Sequence, residues 1–167
     1  MKFTKMHGIG NDYIYVNGFK ETVMNPSEAA KRLSDRHFGV GGDGLILIQP
    51  SKKADFKMEM YNSDGSLGAM CGNGIRCVGK YVYDYGLTDQ TRVSVETESG
   101  IKFLDLTEKQ GKVSQVEVDM GEPVLKPESV PVSLEGDSVI DREFTLGEKK
   151  YRITCVSMGN PHCVVPV

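Results

Sequence analysis

The sequence MCGNGIRC, residues 70–77, places two cysteines on either side of a Gly-Asn-Gly turn. Cys71 stands where an α-helix could begin, and Cys77 would lie inside that helix. Free N–H groups and the positive end of the helix dipole favour an anion at a helix start, and the thiolate is the reactive form of cysteine. Gly72 and Gly74 leave those N–H groups open to a ligand carboxylate. This pattern predicts a thiolate beside a bound carboxylate, which is the geometry needed to move an α-proton.

The spacing of the other cysteines argues against a metal site. A structural zinc site needs four ligands at compact spacing, whereas here C-x5-C is followed only by distant Cys155, His162 and Cys163. We therefore expect no metal. Cys77, on the interior of the predicted helix, is expected to pack as a small apolar side chain.

Two further segments of the sequence require an interpretation. The glycine-rich run at residues 39–44 lacks the Gly-Lys-Ser/Thr ending of a phosphate loop and precedes an apolar strand, so a tight turn is the better interpretation. His162 lies in the polar turn Gly-Asn-Pro-His, residues 159–162, between apolar segments, which makes it a candidate functional residue.

Composition narrows the class of protein. The 167 residues are 39% hydrophobic and 26% charged, with a net charge of −3, as is typical of a globular chain with room for one domain or one and the start of another. Lys and Arg are scattered, so a nucleic-acid partner is not expected. No apolar run suits a signal peptide or a membrane span, and we expect a cytoplasmic protein with free thiols and no membrane partner.

Most of the chain alternates apolar and polar residues with a period of two, which predicts strands of antiparallel sheet with one solvated face. Predicted strands cover residues 2–6, 13–16, 45–48, 56–60, 93–95, 101–106, 113–118, 144–146 and 151–156.

Two segments predict helices instead. Asn25, Pro26 and Glu28 form an N-terminal capping signal for a surface helix over residues 26–36. The second helix follows Cys71 and ends before Gly86. Its apolar residues lie on most sides of the helix, so we expect the helix to be buried. The predicted fold class is α+β, an antiparallel sheet curled around one buried central helix.

The chain divides near residue 120. Residues 1–120 would form one domain, with Cys71 at the start of its central helix. Residues 121–167 would be a Pro-rich linker and the first strands of a second domain, the remainder of which is missing. Because the sequence stops at NPHCVVPV, in a strand-like run without a cap or a charged tail, we expect it to be a fragment.

Five stretches in order along the chain resemble the diaminopimelate epimerase family: MHGIGNDYIYV, YNSDGS, MCGNGIRC, VDMGEP and VSMGNPHCV. The resemblance implies two pseudo-symmetric domains, each a sheet wrapped around a central helix, with the active site between them. It also implies interconversion of LL- and meso-diaminopimelate in lysine and peptidoglycan biosynthesis, by two cysteines and without pyridoxal phosphate or another cofactor. Proline racemase-like and phenazine-biosynthesis-like proteins share this fold.

The resemblance also implies roles for individual residues. Cys71 would be one of the two acid/base cysteines, with His162 near the thiols influencing their ionisation. Gly72 and Asn73 would offer backbone N–H groups to the substrate. Three amides would hydrogen-bond its charged groups: Asn11, Asn62 and Asn160. The partner cysteine and a Glu-Arg pair are expected outside these 167 residues, so the chain alone should be inactive; the complete protein is expected to be a homodimer.

Three other functions remain open from the residues. Another amino-acid racemase or isomerase of the same superfamily would share the fold. A cysteine hydrolase would use Cys71 as nucleophile and His162 as base. A non-catalytic amino-acid-binding fragment would keep the fold and lose the chemistry.

Overall fold

The structure is a computed structural model that describes residues 1–166. The chain divides into two units, Met1–Asp119 and the part that begins at Met120. The assignment of these units as an epimerase domain and the start of a second domain stays a prediction.

Apolar residues form the strands of the first unit, alternating with polar ones in most strands and running continuously in β2 and β3. The helices of this unit are α1 (Pro26–Ser34) and α2 (Gly72–Asp84), and its strands are β1 (Thr4–Gly8), β2 (Asn11–Asn17), β3 (Gly44–Gln49), β4 (Phe56–Asn62), β5 (Leu67–Gly68), β6 (Arg92–Thr97), β7 (Gly100–Lys109) and β8 (Lys112–Val118). Within residues 1–166 these eight strands make one sheet in the order β1-β2-β3-β4-β6-β7-β8, with β5 paired to β4. The predicted α+β class is confirmed.

Most neighbouring strands of this sheet are antiparallel, as predicted, but β2 with β3 and β4 with β6 run parallel. The period of two indicates which side chains lie on the same face of the sheet. It does not indicate whether the neighbouring strand runs parallel or antiparallel. Leu45–Ile48 is buried without a break. A continuous apolar run of this kind is typical of a strand covered on both faces, as parallel strands usually are.

Helix α2 lies inside the curve of the sheet. It contacts β1 and β2 at one end of the strand order and β7 and β8 at the other, so the sheet must curl around it. Ile75, Val78 and Val82 are fully buried, which confirms the predicted central helix. At Gly79 a Cβ atom would come within 2.8 Å of the Leu104 side chain, so the absence of a side chain lets helix and strand approach closely.

Helix α1 packs on the other face of the sheet, over β2, β3 and β4. The Asn25 side chain accepts a hydrogen bond from the Glu28 N–H at 3.3 Å, which confirms the predicted cap. The helix ends at Ser34, two residues before the predicted end, because the Asp35 side chain accepts the N–H groups of His37 and Phe38. The core under α1 consists of Ile14, Val16, Ala30, Leu45 and Leu47.

The second unit is a smaller sheet of three strands within the described residues. A short 3-10 helix, Pro127–Ser129, precedes β9 (Arg142–Leu146), β10 (Lys149–Ser157) and β11 (Pro161–Val164), in the sheet order β11-β10-β9. Val130, Val139, Ile153 and Cys155 form its core. Over residues 1–166, no helix is both long enough and apolar enough to cross a membrane.

Candidate active site

Cys71 is the N-cap residue of α2. Its backbone is extended, with φ −136° and ψ 109°, and its Sγ accepts a hydrogen bond from the Gly74 N–H at 3.3 Å. No acceptor within residues 1–166 pairs with the N–H groups of Gly72 and Asn73. The head of this helix therefore keeps two open donors beside a half-buried thiol, and a carboxylate is the group that such a site favours.

A second neighbour of the thiol comes from β2. The Cys71 thiol donates to Oδ1 of Asn11 at 3.2 Å. The sulfur thus has a hydrogen-bond donor on one side, the Gly74 N–H, and an acceptor on the other. The donor stabilises the thiolate and the acceptor stabilises the thiol, so the arrangement suits a group that has to exist in both protonation states.

The Asn11 amide is itself held by charged residues. Its Nδ2 donates to Oδ2 of Asp43 at 2.6 Å, and Arg36 donates to Oδ1 of the same carboxylate at 2.9 Å. These residues meet because β2 and β3 pair in parallel, with Tyr13 opposite Gly44. Sequence reasoning missed Asp43 and Arg36, since it treated the glycine run around Asp43 as a turn and did not predict the parallel pairing.

Asp12 completes this charged cluster at the start of β2. Arg36 donates to both of its oxygens, at 2.7 and 3.2 Å, and the Lys5 ammonium lies 3.1 Å away. The Arg36 hydrogen bonds are the main reason that the pKa of Asp12 falls to about 2, against the effect of burial. At neutral pH Asp12 is therefore a carboxylate that anchors Arg36.

Two buried tyrosines of β2 lie under the head of α2. The Tyr15 hydroxyl donates to the Gly74 carbonyl at 3.2 Å, and burial, then the neighbouring Cys77, raise the pKa of Tyr15. Burial, followed by the charge of Cys71, also raises the pKa of Tyr13. Both side chains therefore stay neutral hydroxyls, a feature that the strand pattern did not reveal.

Cys77 differs from Cys71 in its surroundings. Its side chain is 7% exposed inside α2, and burial raises the pKa of its thiol despite the neighbouring Tyr15 hydroxyl. This environment favours a packed, unreactive thiol. No cysteine within the described residues takes part in a disulfide.

The other predicted residues of the first unit lie at the ends of the same elements. Asn62 ends β4 opposite Gly44, and its Nδ2 donates to Oγ of Ser66 at 2.9 Å. The Asn73 side chain accepts from Arg76 at 2.5 Å in the first turn of α2. Both side-chain amides already have local partners, while the Asn73 N–H stays open.

Asn160 and His162 lie in the second unit, at the hairpin between β10 and β11. A ring nitrogen of His162 is 3.2 Å from Oδ1 of Asn160. An apolar pocket of about 510 Å³ in the same unit is lined by neither of them. Across residues 1–166, no three His, Cys, Asp or Glu side chains group to hold a metal ion.

Solved structures identify the fold of this chain. A hydroxyproline epimerase from Agrobacterium vitis, solved with trans-4-hydroxy-L-proline, superposes with a TM-score of 0.69 at 16% identity, over 98% of this chain and 50% of that one. A phenazine biosynthesis protein from Bacillus anthracis gives a TM-score of 0.63 at 18% identity, over 99% of this chain and 54% of that one. The fold that this chain shares with these structures, a sheet curled around a central helix, defines its structural class.

Sequence comparison identifies the family within that class. The family described as diaminopimelate epimerase matches residues 3–126. Diaminopimelate epimerases of Acetivibrio thermocellus and Methanococcus maripaludis are 61% and 60% identical over 164 residues, which is 98% of this chain and 59% of each relative. The chain belongs to the diaminopimelate epimerase family, as the five stretches predicted. It spans about 59% of the length of these relatives.

Proposed function

We propose that the protein to which this chain belongs is a diaminopimelate epimerase and that the chain supplies one half of its two-base site. Cys71 is the acid/base thiol of this half. The observation that carries the proposal is the placement of the Cys71 sulfur between the Gly74 N–H at 3.3 Å and Asn11 Oδ1 at 3.2 Å, next to open N–H groups.

The chemistry follows from this placement. The open N–H groups of Gly72 and Asn73 bind the α-carboxylate, where negative charge grows as the α-proton leaves, and so they stabilise the transition state. In one direction the Cys71 thiolate accepts the α-proton. In the other direction the Cys71 thiol gives a proton to the α-carbon while the partner base removes one from the opposite face. No cofactor is needed, since both proton transfers use thiols.

The partner base lies outside this chain in the proposal. The chain spans about 59% of the length of its relatives, and among residues 1–166 only Cys71 is a cysteine at a helix start with a Gly-Asn-Gly turn. Asn62 would contribute from the first unit, and Asn160 and His162 from the second, as the family resemblance implies.

Location and assembly are part of the same proposal. The four free thiols suit the reducing cytoplasm. The complete protein would act as a homodimer on diaminopimelate. Nucleic acid is not a proposed partner, because the net charge is −3 and nucleic-acid binding requires an excess of positive charge.

A chimera tests the proposed function. Residues 1–167 are fused to the C-terminal part of the Acetivibrio thermocellus relative, and inversion of LL-diaminopimelate is followed by chiral chromatography. We expect the chimera to invert the substrate and its Cys71→Ala variant to lose at least about 1000-fold in rate, because one of two bases is removed. A Cys71→Ala chimera that inverts as fast as the parent would contradict the role of Cys71.

A further inference from the structure

The side-chain amide of Asn11 has one orientation that its neighbours allow. A carboxylate only accepts hydrogen bonds, and the Asp43 oxygen lies 2.6 Å from the amide nitrogen of Asn11. A flipped amide would put its own oxygen against that carboxylate. The Asn11 oxygen must therefore face the other way, toward the Cys71 sulfur at 3.2 Å.

Asp43 is in turn fixed by the fold. Arg36 donates to its Oδ1 at 2.9 Å, and the Asp12 N–H lies 3.2 Å from its Oδ2. Its own N–H donates to the Asp12 carbonyl at 2.7 Å, and its carbonyl accepts from Ser63 at 3.1 Å. The position of this carboxylate is thus set by backbone contacts as well as by the ion pair.

From this geometry we infer that Asp43 is a positioning residue for Cys71. By holding the Asn11 amide, it turns an acceptor toward the Cys71 sulfur, and an acceptor is the partner that a proton-donating thiol requires. The inference rests on the proposed function, because positioning Cys71 affects catalysis only if Cys71 is an acid/base residue. It also specifies what Asn11 offers a ligand: an acceptor, which pairs with an ammonium group and not with a carboxylate.

Other groups that act on the same sulfur do not carry this effect. The Gly74 N–H of α2 favours the thiolate, and Cys77 of the same helix is buried. Tyr13 and Tyr15 of β2 are neutral hydroxyls, and that of Tyr13 also hydrogen-bonds with Cys71 and Asn11. Arg36, whose side chain is 54% exposed, is committed to Asp12 and Asp43.

The test measures the protonation of Cys71 through its reactivity. Iodoacetamide reacts with the thiolate, so the alkylation rate against pH reports the midpoint of thiol ionisation. Tryptic peptide 58–76 contains Cys71 as its only cysteine, and mass spectrometry of this peptide gives the rate for that residue alone. The measurement needs no substrate and uses the chain as it is.

In the Asp43→Ala variant the Asn11 amide is free to turn its nitrogen toward the thiolate. We expect the midpoint of Cys71 alkylation to move down by about half to one pH unit. The Asn11→Ala variant, which removes the acceptor directly, should move the midpoint in the same direction. Asp12→Ala is the matched control, since it removes another carboxylate from Arg36 without touching the Asn11 side chain, and it should leave the midpoint within about 0.2 units.

A double variant separates positioning from simple charge. If Asp43 acts through Asn11, then Asp43→Ala adds no shift in the Asn11→Ala background. An equal shift in both backgrounds, or no shift in Asp43→Ala with native circular dichroism, would overturn the inference. If Asp43→Ala does not fold, an unchanged midpoint in Asn11→Ala alone overturns it. Because no turnover is measured, these results are independent of whether the chimera is an epimerase.

Discussion

The Cys71 sulfur combines two opposed hydrogen bonds. The Gly74 N–H lies 3.3 Å from it and the Asn11 oxygen 3.2 Å from it. A helix start alone predicts a thiolate, and this was the expectation from the sequence. The Asn11 acceptor counteracts it, and a residue that must give and take a proton at one carbon benefits from that balance.

The two cysteines of the motif should differ in reactivity. We expect iodoacetamide at pH 8 to label Cys71 at least about tenfold faster than Cys77, because Cys77 is buried and the thiolate must reach the reagent. Tryptic peptides 58–76 and 77–80 carry the two cysteines separately, so mass spectrometry measures both rates in one sample.

The denatured chain is the control for this comparison of labelling rates. In denaturant the two peptides should be labelled at similar rates, because the difference arises from the fold. Equal labelling in the native chain would contradict the assignment of Cys77 as a packed thiol.

At the scale of elements, the parallel pairing of β2 with β3 assembles the charged cluster behind Asn11. It places Asp43, just before β3, beside the first residues of β2. Helix α1 contributes through Arg36, which follows its end and pairs with Asp12 and Asp43. The charged cluster thus ties the end of α1 to the strands that position the thiol.

Asp12 should make the stability of this region depend on pH. The folded pKa of Asp12, about 2, lies below its ordinary value of 3.8 because of Arg36. Its contribution to the free energy of unfolding is therefore present above about pH 4 and is lost as the pH falls toward 2. We expect Asp12→Asn to lose about 1 kcal/mol at pH 7, given that Arg36 is half exposed.

Urea unfolding at pH 7 and near pH 2.5 measures this contribution. The difference between the parent chain and Asp12→Asn should shrink at the lower pH. A difference that is constant with pH would mean that the substitution acts through packing and not through the ion pair.

The sequence predicted the elements whose signals are local. Ile75, Val78 and Val82 repeat at helical spacing, and the Asn25 cap fixes the start of α1, so both helices could be found. The two-residue strand β5 is too short to show a period. Asp43 could not be connected to Asn11, because 32 residues separate them and only the parallel register brings them together.

At the scale of the whole molecule, the chain consists of two units and spans about 59% of the length of its relatives. Cys71, Asn11, Asn62, Gly72 and Asn73 belong to the first unit, and Asn160 and His162 to the second. Inversion at an α-carbon needs one base on each face, since a single base returns the proton to the face from which it came. In our account this chain holds one of the two.

Incubation of the 167-residue chain with LL-diaminopimelate in heavy water tests whether the chain holds one base or both. Chiral chromatography and mass spectrometry would follow the meso isomer and the deuterium at the α-carbon. We expect no meso isomer from the chain alone, whereas the chimera should form it with one deuterium for each inversion. Formation of the meso isomer by the chain alone would rule out a half-site, because both bases would then have to lie within these residues.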